Sequence, residues 1–282
     1  MSALSRAFVM GHPIAHSRSP LLHGYWLKKM GIEGTYERLD IAPDRLNAFF
    51  SDYRETGWVG GNVTVPHKSA VIPYLDRIDS NARALGAVNT IWWDDGQLIG
   101  GNTDGIGFMD NLDELAPGWD SGARNSVIIG AGGAARAAVH GVLGRGLSVS
   151  LCNRTQSKAQ ALAEYFDGDV RAHSLDELPG LLEDADLLVN TTSLGMVGQP
   201  PLDIDLAPLK PTATVYDIVY VPLETPLIIE AKAKGHPVVG GLGMLLHQGV
   251  PGFSHWFGQT PTVSVELRNL LTDDIVAKSP SA

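Results

Sequence analysis

The chain has 282 residues, 44% of them hydrophobic and 18% charged, with a net charge of −10. That length suits two ordinary domains or one large one, with apolar side chains enough for real cores. The acidic balance argues against nucleic acid, whose phosphates are gripped by clustered Lys and Arg; a single cysteine rules out an internal disulfide, and no apolar run nears the roughly 20 residues of a membrane span.

The N-terminal stretch lacks the apolar core and cleavage pattern of a signal peptide, so a soluble cytoplasmic protein is expected. Residues 8–10 read as a short buried strand, followed by the polar loop GHPIAHSRSP. Pro20 opens a helix with apolar positions at Leu21, Leu22, Tyr25, Trp26 and Leu27, closing near Gly31. Residues 36–41 read as a strand, 44–55 as a helix stopped at Gly57, and 61–65 as a strand ended by Pro66. Residues 88–93 and 97–101 flank Asp94-Asp95-Gly96, a hairpin signal. A helix over 106–115 follows. After Pro117-Gly118 a second series begins, with strands at 126–129, 148–152, 187–190, 214–218 and near 237–239. A helix from about 243 and another near 262–273 close the chain, and the small polar tail 277–282 is expected to fray. Strands alternating with helices predict an α/β fold with mostly parallel sheets.

The strand at 126–129 runs directly into Gly130-Ala131-Gly132-Gly133-Ala134-Ala135 and then a helix of small residues. This is G-x-G-x-x-A between strand and helix, the fingerprint of a Rossmann βαβ unit. The first glycine permits the tight turn, and the second lets backbone N–H groups approach a pyrophosphate. Ala135 permits close helix–strand packing. The helix N-terminus adds roughly half a positive charge toward the phosphates. The next strand ends in Asn153-Arg154-Thr155, with Lys158 one turn on. An NAD-selective site usually places a carboxylate there for the ribose hydroxyls. A guanidinium instead suits a 2′-phosphate, through paired hydrogen bonds. The expected cofactor is therefore NADP(H).

Four polar segments precede this unit: Ser17-Arg18-Ser19-Pro20, Asn62-Val63-Thr64-Val65-Pro66-His67-Lys68, Gly86-Ala87-Val88-Asn89-Thr90, and Gly101-Asn102-Thr103-Asp104-Gly105. Each has an ordinary reading. Ser19 can cap a helix ahead of Pro20, Lys68 can be a salt-bridged surface residue, and Asp104 can cap the next helix. Together they offer uncharged hydrogen-bonding groups, one lysine and one aspartate at loop ends. Carbonyl reduction needs such a set: a hydride goes to carbon, and a lysine held by an aspartate delivers the proton to oxygen.

On these residues the chain resembles the shikimate dehydrogenase family. The strings GHPIAHSRSPLLH, NVTVPHK, LGAVNT, GGNTDGIG, GAGGAARA, NRTQSK, NTTSLGM, DIVYVPLETPL and GGLGMLLHQG follow the family's order nearly end to end. The resemblance implies an N-terminal α/β substrate-binding domain (1–103) and a Rossmann-type, doubly wound NADP-binding domain (104–239). C-terminal helices (240–282) would return to the first domain, with the active site in the interdomain cleft. It implies that Ser17 and Ser19 hold a substrate carboxylate, and that Thr64, Asn89, Asp104 and Gln248 bind ring hydroxyls. Tyr220 would also face the substrate, and Lys68 and Asp104 would form the catalytic pair. Gly130, Ala131, Gly132, Gly133, Ala134, Asn153, Arg154, Thr155, Lys158, Ile218, Gly241 and Met244 would line the cofactor. The implied activity is reversible NADPH-dependent reduction of 3-dehydroshikimate to shikimate, by a monomer or homodimer. A quinate-oxidising relative is the alternative; Asn153-Arg154-Thr155 leans away from it. Gly24 and Ile218 depart from common family residues without removing a catalytic group. A catalytically dead copy acting as a ligand sensor would have lost Lys68, Asp104 or the glycine cradle.

His12 and His16 are spaced like metal ligands on a helix, but Pro13 opposes that helix and no metal is expected. His67 reads as a surface or capping residue. Trp92 and Trp93 read as strand residues on opposite faces, and Cys152 as a buried hydrophobe at a strand end.

Overall fold

The apolar run at 7–10 forms the centre of strand β1 (Ser5–Gly11), whose last five residues are all buried, as expected of a strand covered on both faces. A computed structural model describes residues 4–278. The chain divides into two compact units: Met1–Asp104 with Gln248–Leu271, and Gly105–His247 with Thr272–Ala282.

In the first unit, β1 is followed by α1 (Ser19–Met30), β2 (Gly34–Asp40), α2 (Leu46–Ser51), β3 (Trp58–Val63), β4 (Arg77–Ile78), α3 (Ser80–Leu85), β5 (Thr90–Asp94) and β6 (Gln97–Gly101). The sheet order is β2-β1-β3-β5-β6-β4. The first three strands run parallel, whereas β5 is antiparallel to both β3 and β6. The β5–β6 hairpin turns through Asp95 and Gly96, both at positive φ, which matches the twist of the flanking strands. Gly31 closes α1 in the left-handed region.

The helix expected over 44–55 is broken into a 3-10 turn at Pro43–Arg45, α2, and a second 3-10 turn at Tyr53–Glu55. The break carries Tyr53 into the core, where its ring lies 6.1 Å from Phe8 and 5.7 Å from Trp93. Burying that aromatic surface outweighs a regular helix. Trp92 stacks on His255 while Trp93 joins the core, one per face as the strand period requires.

The second unit contains α4 (Asp104–Leu115), β7 (Asn125–Ile129), α5 (Gly133–Leu143), β8 (Ser148–Cys152), α6 (Gln156–Tyr165), β9 (Val170–His173), α7 (Leu178–Leu182), β10 (Leu187–Asn190), β11 (Thr214–Asp217), α8 (Pro226–Ala233) and β12 (Val238–Gly240). Its six strands are all parallel, in the order β12-β11-β10-β7-β8-β9. The winding reverses direction between β7 and β10, the place where doubly wound sheets bind ligands at their carboxyl ends. Ile128, Leu151 and Val189 from this sheet pack with Phe108, Ala138 and Val139 from the helices. The edge strand β9 escaped the sequence reading because it is only four residues long, and its alternation rests on Val170 and the small Ala172 alone.

Two helices follow, α9 (Leu242–Phe257) and α10 (Val265–Lys278). Ala277 and Lys278 complete α10; residues 279–282 of the expected tail lie outside the described residues. Among the described residues no helix is long and apolar enough to cross a membrane.

Gly60 shows how tightly the first unit closes. Its φ is +148°, and a Cβ there would lie 2.2 Å from the Ile91 carbonyl oxygen and 2.4 Å from Nε1 of Trp256. Those two atoms are themselves hydrogen-bonded at 2.8 Å. Gly60→Ala should therefore destabilise the protein by about 2–4 kcal/mol. A denaturant titration checks this; an unchanged midpoint would contradict the packing described.

Candidate active site

The polar ends of the first unit's strands meet at one ion pair. The Nζ of Lys68 donates to Oδ2 of Asp104 at 2.6 Å, with the two side chains only 28% and 17% exposed. Lys68 lies in the turn after β3, where its carbonyl accepts from the Val88 N–H at 2.7 Å. Asp104 opens α4, and its N–H donates to Oδ1 of Asn102 at 2.9 Å. The Asn102 side chain thus satisfies the first N–H of α4.

Asn89 links this pair to the sheet. Its Nδ2 donates to Oδ1 of Asp104 at 2.8 Å, to Thr103 Oγ1 at 3.0 Å and to Gln248 Oε1 at 3.4 Å. Its Oδ1 accepts from the Thr103 N–H and from the Thr90 hydroxyl, both at 2.9 Å. The backbone N–H settles which way the amide points, so the NH₂ faces the carboxylate. Behind Asn89, Asn62 Nδ2 donates to the Asn89 carbonyl at 3.1 Å and to Thr90 Oγ1 at 3.2 Å. Asn62 in turn accepts from the Tyr36 hydroxyl at 2.5 Å. Burial pushes the Tyr36 hydroxyl well above the usual phenol range, so it stays a donor. Asn62, Tyr36 and Thr90 were missed as site residues; only Asn62 and Thr90 lie in strings that carried the resemblance.

The serine loop enters from the other side of β1. Ser19 is the first residue of α1 and is nearly buried, while Arg18 holds the cap position without any side-chain cap. The simple capping reading of Ser19 therefore fails. Ser17 Oγ accepts from the Ser19 N–H at 3.3 Å, and the Ser17 carbonyl accepts from Nε and Nη2 of Arg38 at 3.0 and 2.6 Å. His12 pairs with Asp40 at 2.7 Å, and among the described residues no group of three His, Cys, Asp or Glu could hold a metal. The N–H of Thr64 donates to the Met10 carbonyl at 2.9 Å. His67 is not a surface residue: it is buried, its ring Nε2 lies 2.6 Å from the Ile41 carbonyl, and it ties the lysine turn to the end of β2.

In the second unit the glycine cradle sits at the carboxyl end of β7. Gly130 has φ +117°, and a Cβ there would lie 2.4 Å from Thr191 Oγ1, so only glycine fits. Gly132 and Gly133 face open space at the α5 N-terminus. Ala131 and Ala134 flank them. An anion can approach the free N–H groups there directly. At the end of β8, Asn153 Nδ2 donates to the Thr155 carbonyl at 2.9 Å. Arg154, Thr155 and Lys158 are exposed, and neither cation is ion-paired among the described residues. No carboxylate occupies this corner, so the residues present fit a phosphorylated ribose better than a bare one.

Ile218 and Tyr220 lie on the loop after β11, and Gly241 and Met244 near the start of α9. A Cβ on Gly241 would be 2.0 Å from the Ile218 carbonyl oxygen. This loop is pinned by Asp217, which the sequence reading overlooked. The fully buried Asp217 accepts from Asn190 Nδ2 at 2.9 Å, the Val219 N–H at 3.0 Å and the Thr225 hydroxyl at 2.6 Å. Burial still raises its carboxyl above the usual range. Asn190 and Asp217 stand in two of the resemblance strings without a role attached to them.

Three family models match the chain: the shikimate dehydrogenase substrate binding domain over residues 9–91, shikimate / quinate 5-dehydrogenase over 117–196, and the shikimate 5′-dehydrogenase C-terminal domain over 241–265. The shikimate dehydrogenase (NADP(+)) of Azorhizobium caulinodans is 54% identical over 276 residues, covering 98% of each chain. The chain belongs to the shikimate dehydrogenase family. Among solved structures, this shikimate dehydrogenase family member is similar to the Thermus thermophilus shikimate 5-dehydrogenase solved with NADP(H) and shikimate. They share 34% identity and a TM-score of 0.82, covering 97% and 99% of the two chains. It is also similar to the Corynebacterium glutamicum quinate dehydrogenase solved with NAD, at 30% identity and a TM-score of 0.88 over 96% and 99%.

Cys152 lies at the end of β8, beside the exposed Asn153 corner. Burial pushes its thiol up to about 12, leaving about one part in ten thousand as thiolate at pH 8. Thiol reagents should leave the folded protein unmodified at that pH and label it once unfolded. Rapid labelling of the native protein would overturn this placement.

Proposed function

We propose that this shikimate dehydrogenase family member catalyses the reversible, NADPH-dependent reduction of 3-dehydroshikimate to shikimate, a step of chorismate biosynthesis. The contact between Lys68 and Asp104, fixed by Asn89, carries the reading. Bound NADPH would supply the hydride for the carbonyl carbon. The Lys68 ammonium donates a proton to the carbonyl oxygen, and Asp104 holds the ammonium for that task. In the reverse direction Lys68 takes the hydroxyl proton back. Ser17 and Ser19 hold the carboxylate, Thr64, Asn89, Asp104 and Gln248 take the ring hydroxyls, and Tyr220 lies against the ring.

The cofactor half rests on the second unit. Gly130, Ala131, Gly132, Gly133 and Ala134 leave room for the pyrophosphate. Asn153, Arg154, Thr155 and Lys158 hold the 2′-phosphate, and Ile218, Gly241 and Met244 line the nicotinamide. Substrate binding is assigned to 1–103 and cofactor binding to 104–239. The enzyme works in the cytoplasm as a monomer or homodimer.

Steady-state turnover of shikimate and quinate with NADP and NAD tests the proposal, with shikimate and NADP the expected pair; faster quinate–NAD turnover would favour the alternative. Lys68→Ala should lower kcat by roughly 100- to 10,000-fold while leaving cofactor affinity unchanged in a fluorescence titration. An undiminished rate would mean the proton comes from elsewhere. Arg154→Ala should weaken NADPH binding roughly tenfold or more, because it removes charge-assisted hydrogen bonds to phosphate. NADH binding should barely change, and equal losses would contradict the 2′-phosphate assignment.

A further inference from the structure

The substrate proposed above is an anion, yet the two side chains assigned to its carboxylate are neutral serines. In a chain with a net charge of −10, a cation beside those serines would favour the approach of an anion. The other two arginines on strands of this sheet are ion-paired: Arg6 with Glu37 and Arg77 with Asp94. Arg38 differs. Its guanidinium makes two hydrogen bonds to the Ser17 carbonyl oxygen and no ion pair among the described residues. Its positive charge is therefore unspent one peptide group away from the Ser17 hydroxyl.

The placement follows from the strand period. Tyr36, Arg38 and Asp40 share one face of β2, and each grips a different part of the site: Tyr36 bonds Asn62, Arg38 bonds Ser17, and Asp40 bonds His12. The carboxylate on that face, Asp40, hydrogen-bonds His12 and makes no ion pair with Arg38 among the described residues. Arg38 is exposed, so its field reaches the solvent through which an anionic substrate arrives.

We propose that Arg38 is a specificity-determining positioning residue: its guanidinium fork fixes the Ser17 peptide so that the serine hydroxyl meets the substrate carboxylate, and its uncompensated charge selects an anionic substrate. A lysine keeps the charge but not the fork. This inference rests on the reading that Ser17 binds the carboxylate, and the test separates the two.

The experiment measures kcat and KM for shikimate and NADP in the unmodified enzyme, Arg38→Ala, Arg38→Lys, Arg18→Ala and Ser17→Ala, at about 20 and about 200 mM salt, across one strong change in Debye screening. In the unmodified enzyme kcat/KM for shikimate should fall as salt rises. Arg38→Ala should raise KM for shikimate by roughly 5- to 20-fold, leave KM for NADP and kcat within about twofold, and lose most of the salt dependence. Arg38→Lys should recover the salt dependence but only part of the KM. The inference is overturned if Arg38→Ala keeps both KM and salt dependence, if it lowers kcat and worsens both KM values alike, or if Arg18→Ala is the variant that abolishes the salt effect. Should Ser17→Ala leave the shikimate KM unchanged, the carboxylate assignment itself fails.

Discussion

A lysine and an aspartate largely withdrawn from water must be held in a fixed contact, and the hydrogen bonds of the first unit converge on that pair. A partly buried pair is costly unless further hydrogen bonds satisfy its members. Asn89 supplies one to Asp104, and its own direction is fixed by the Thr103 N–H. The order β2-β1-β3-β5-β6 then gains a reason beyond packing. It lets Tyr36 on β2 reach Asn62 on β3, and lets Asn62 reach Asn89 and Thr90 at the start of β5. The donors along Tyr36, Asn62, Thr90 and Asn89 all point toward Asp104. Gln248, from the distant end of the sequence, completes the cluster.

The second unit solves a different problem with backbone. Its cradle presents peptide N–H groups, so what matters is the absence of side chains. Gly130 makes room for Thr191 at the junction of β7 and β10, while Gly132 and Gly133 leave the helix N-terminus bare. The loop after β11 carries no glycine of that kind. It is held by a buried carboxylate, Asp217, which gathers an amide, a backbone N–H and a hydroxyl from three separate positions. A satisfied buried acid of this sort rigidifies a loop that propensity alone would leave loose.

Much of this was legible because the signals were short-range. The strand–glycine–helix order at 126–143 and the missing carboxylate after β8 can be read without coordinates. The central strands 8–10, 126–129 and 187–190 declare themselves by buried apolar runs, and 148–152 by the alternation of Val149 and Leu151 with serines. The failures share a cause. The helix over 44–55 has helical spacing, yet Tyr53 is drawn inward by Phe8 and Trp93. The alternation of Val170 and Ala172 in the edge strand β9 spans only four residues, too few to stand out. His67 looked like a surface neighbour of Lys68, but the Ile41 carbonyl, 26 positions earlier, buries it.

The amino-acid order by itself determined the α/β class, the strand–glycine–helix turn after β7, the exposed cations after β8 and the residue types of the polar cluster. These depend on neighbours within a turn or a strand. Tertiary structure alone decided which side of the Asn89 amide faces Asp104, that Ser19 is inside its helix and does not cap it, and that Arg38 spends its hydrogen bonds on a carbonyl and leaves its charge free. Each of those outcomes is set by a partner between 14 and 159 positions away or by the exact start of a helix. Hydrogen bonds of that range form only once burial has removed the competing water, and no local pattern encodes them.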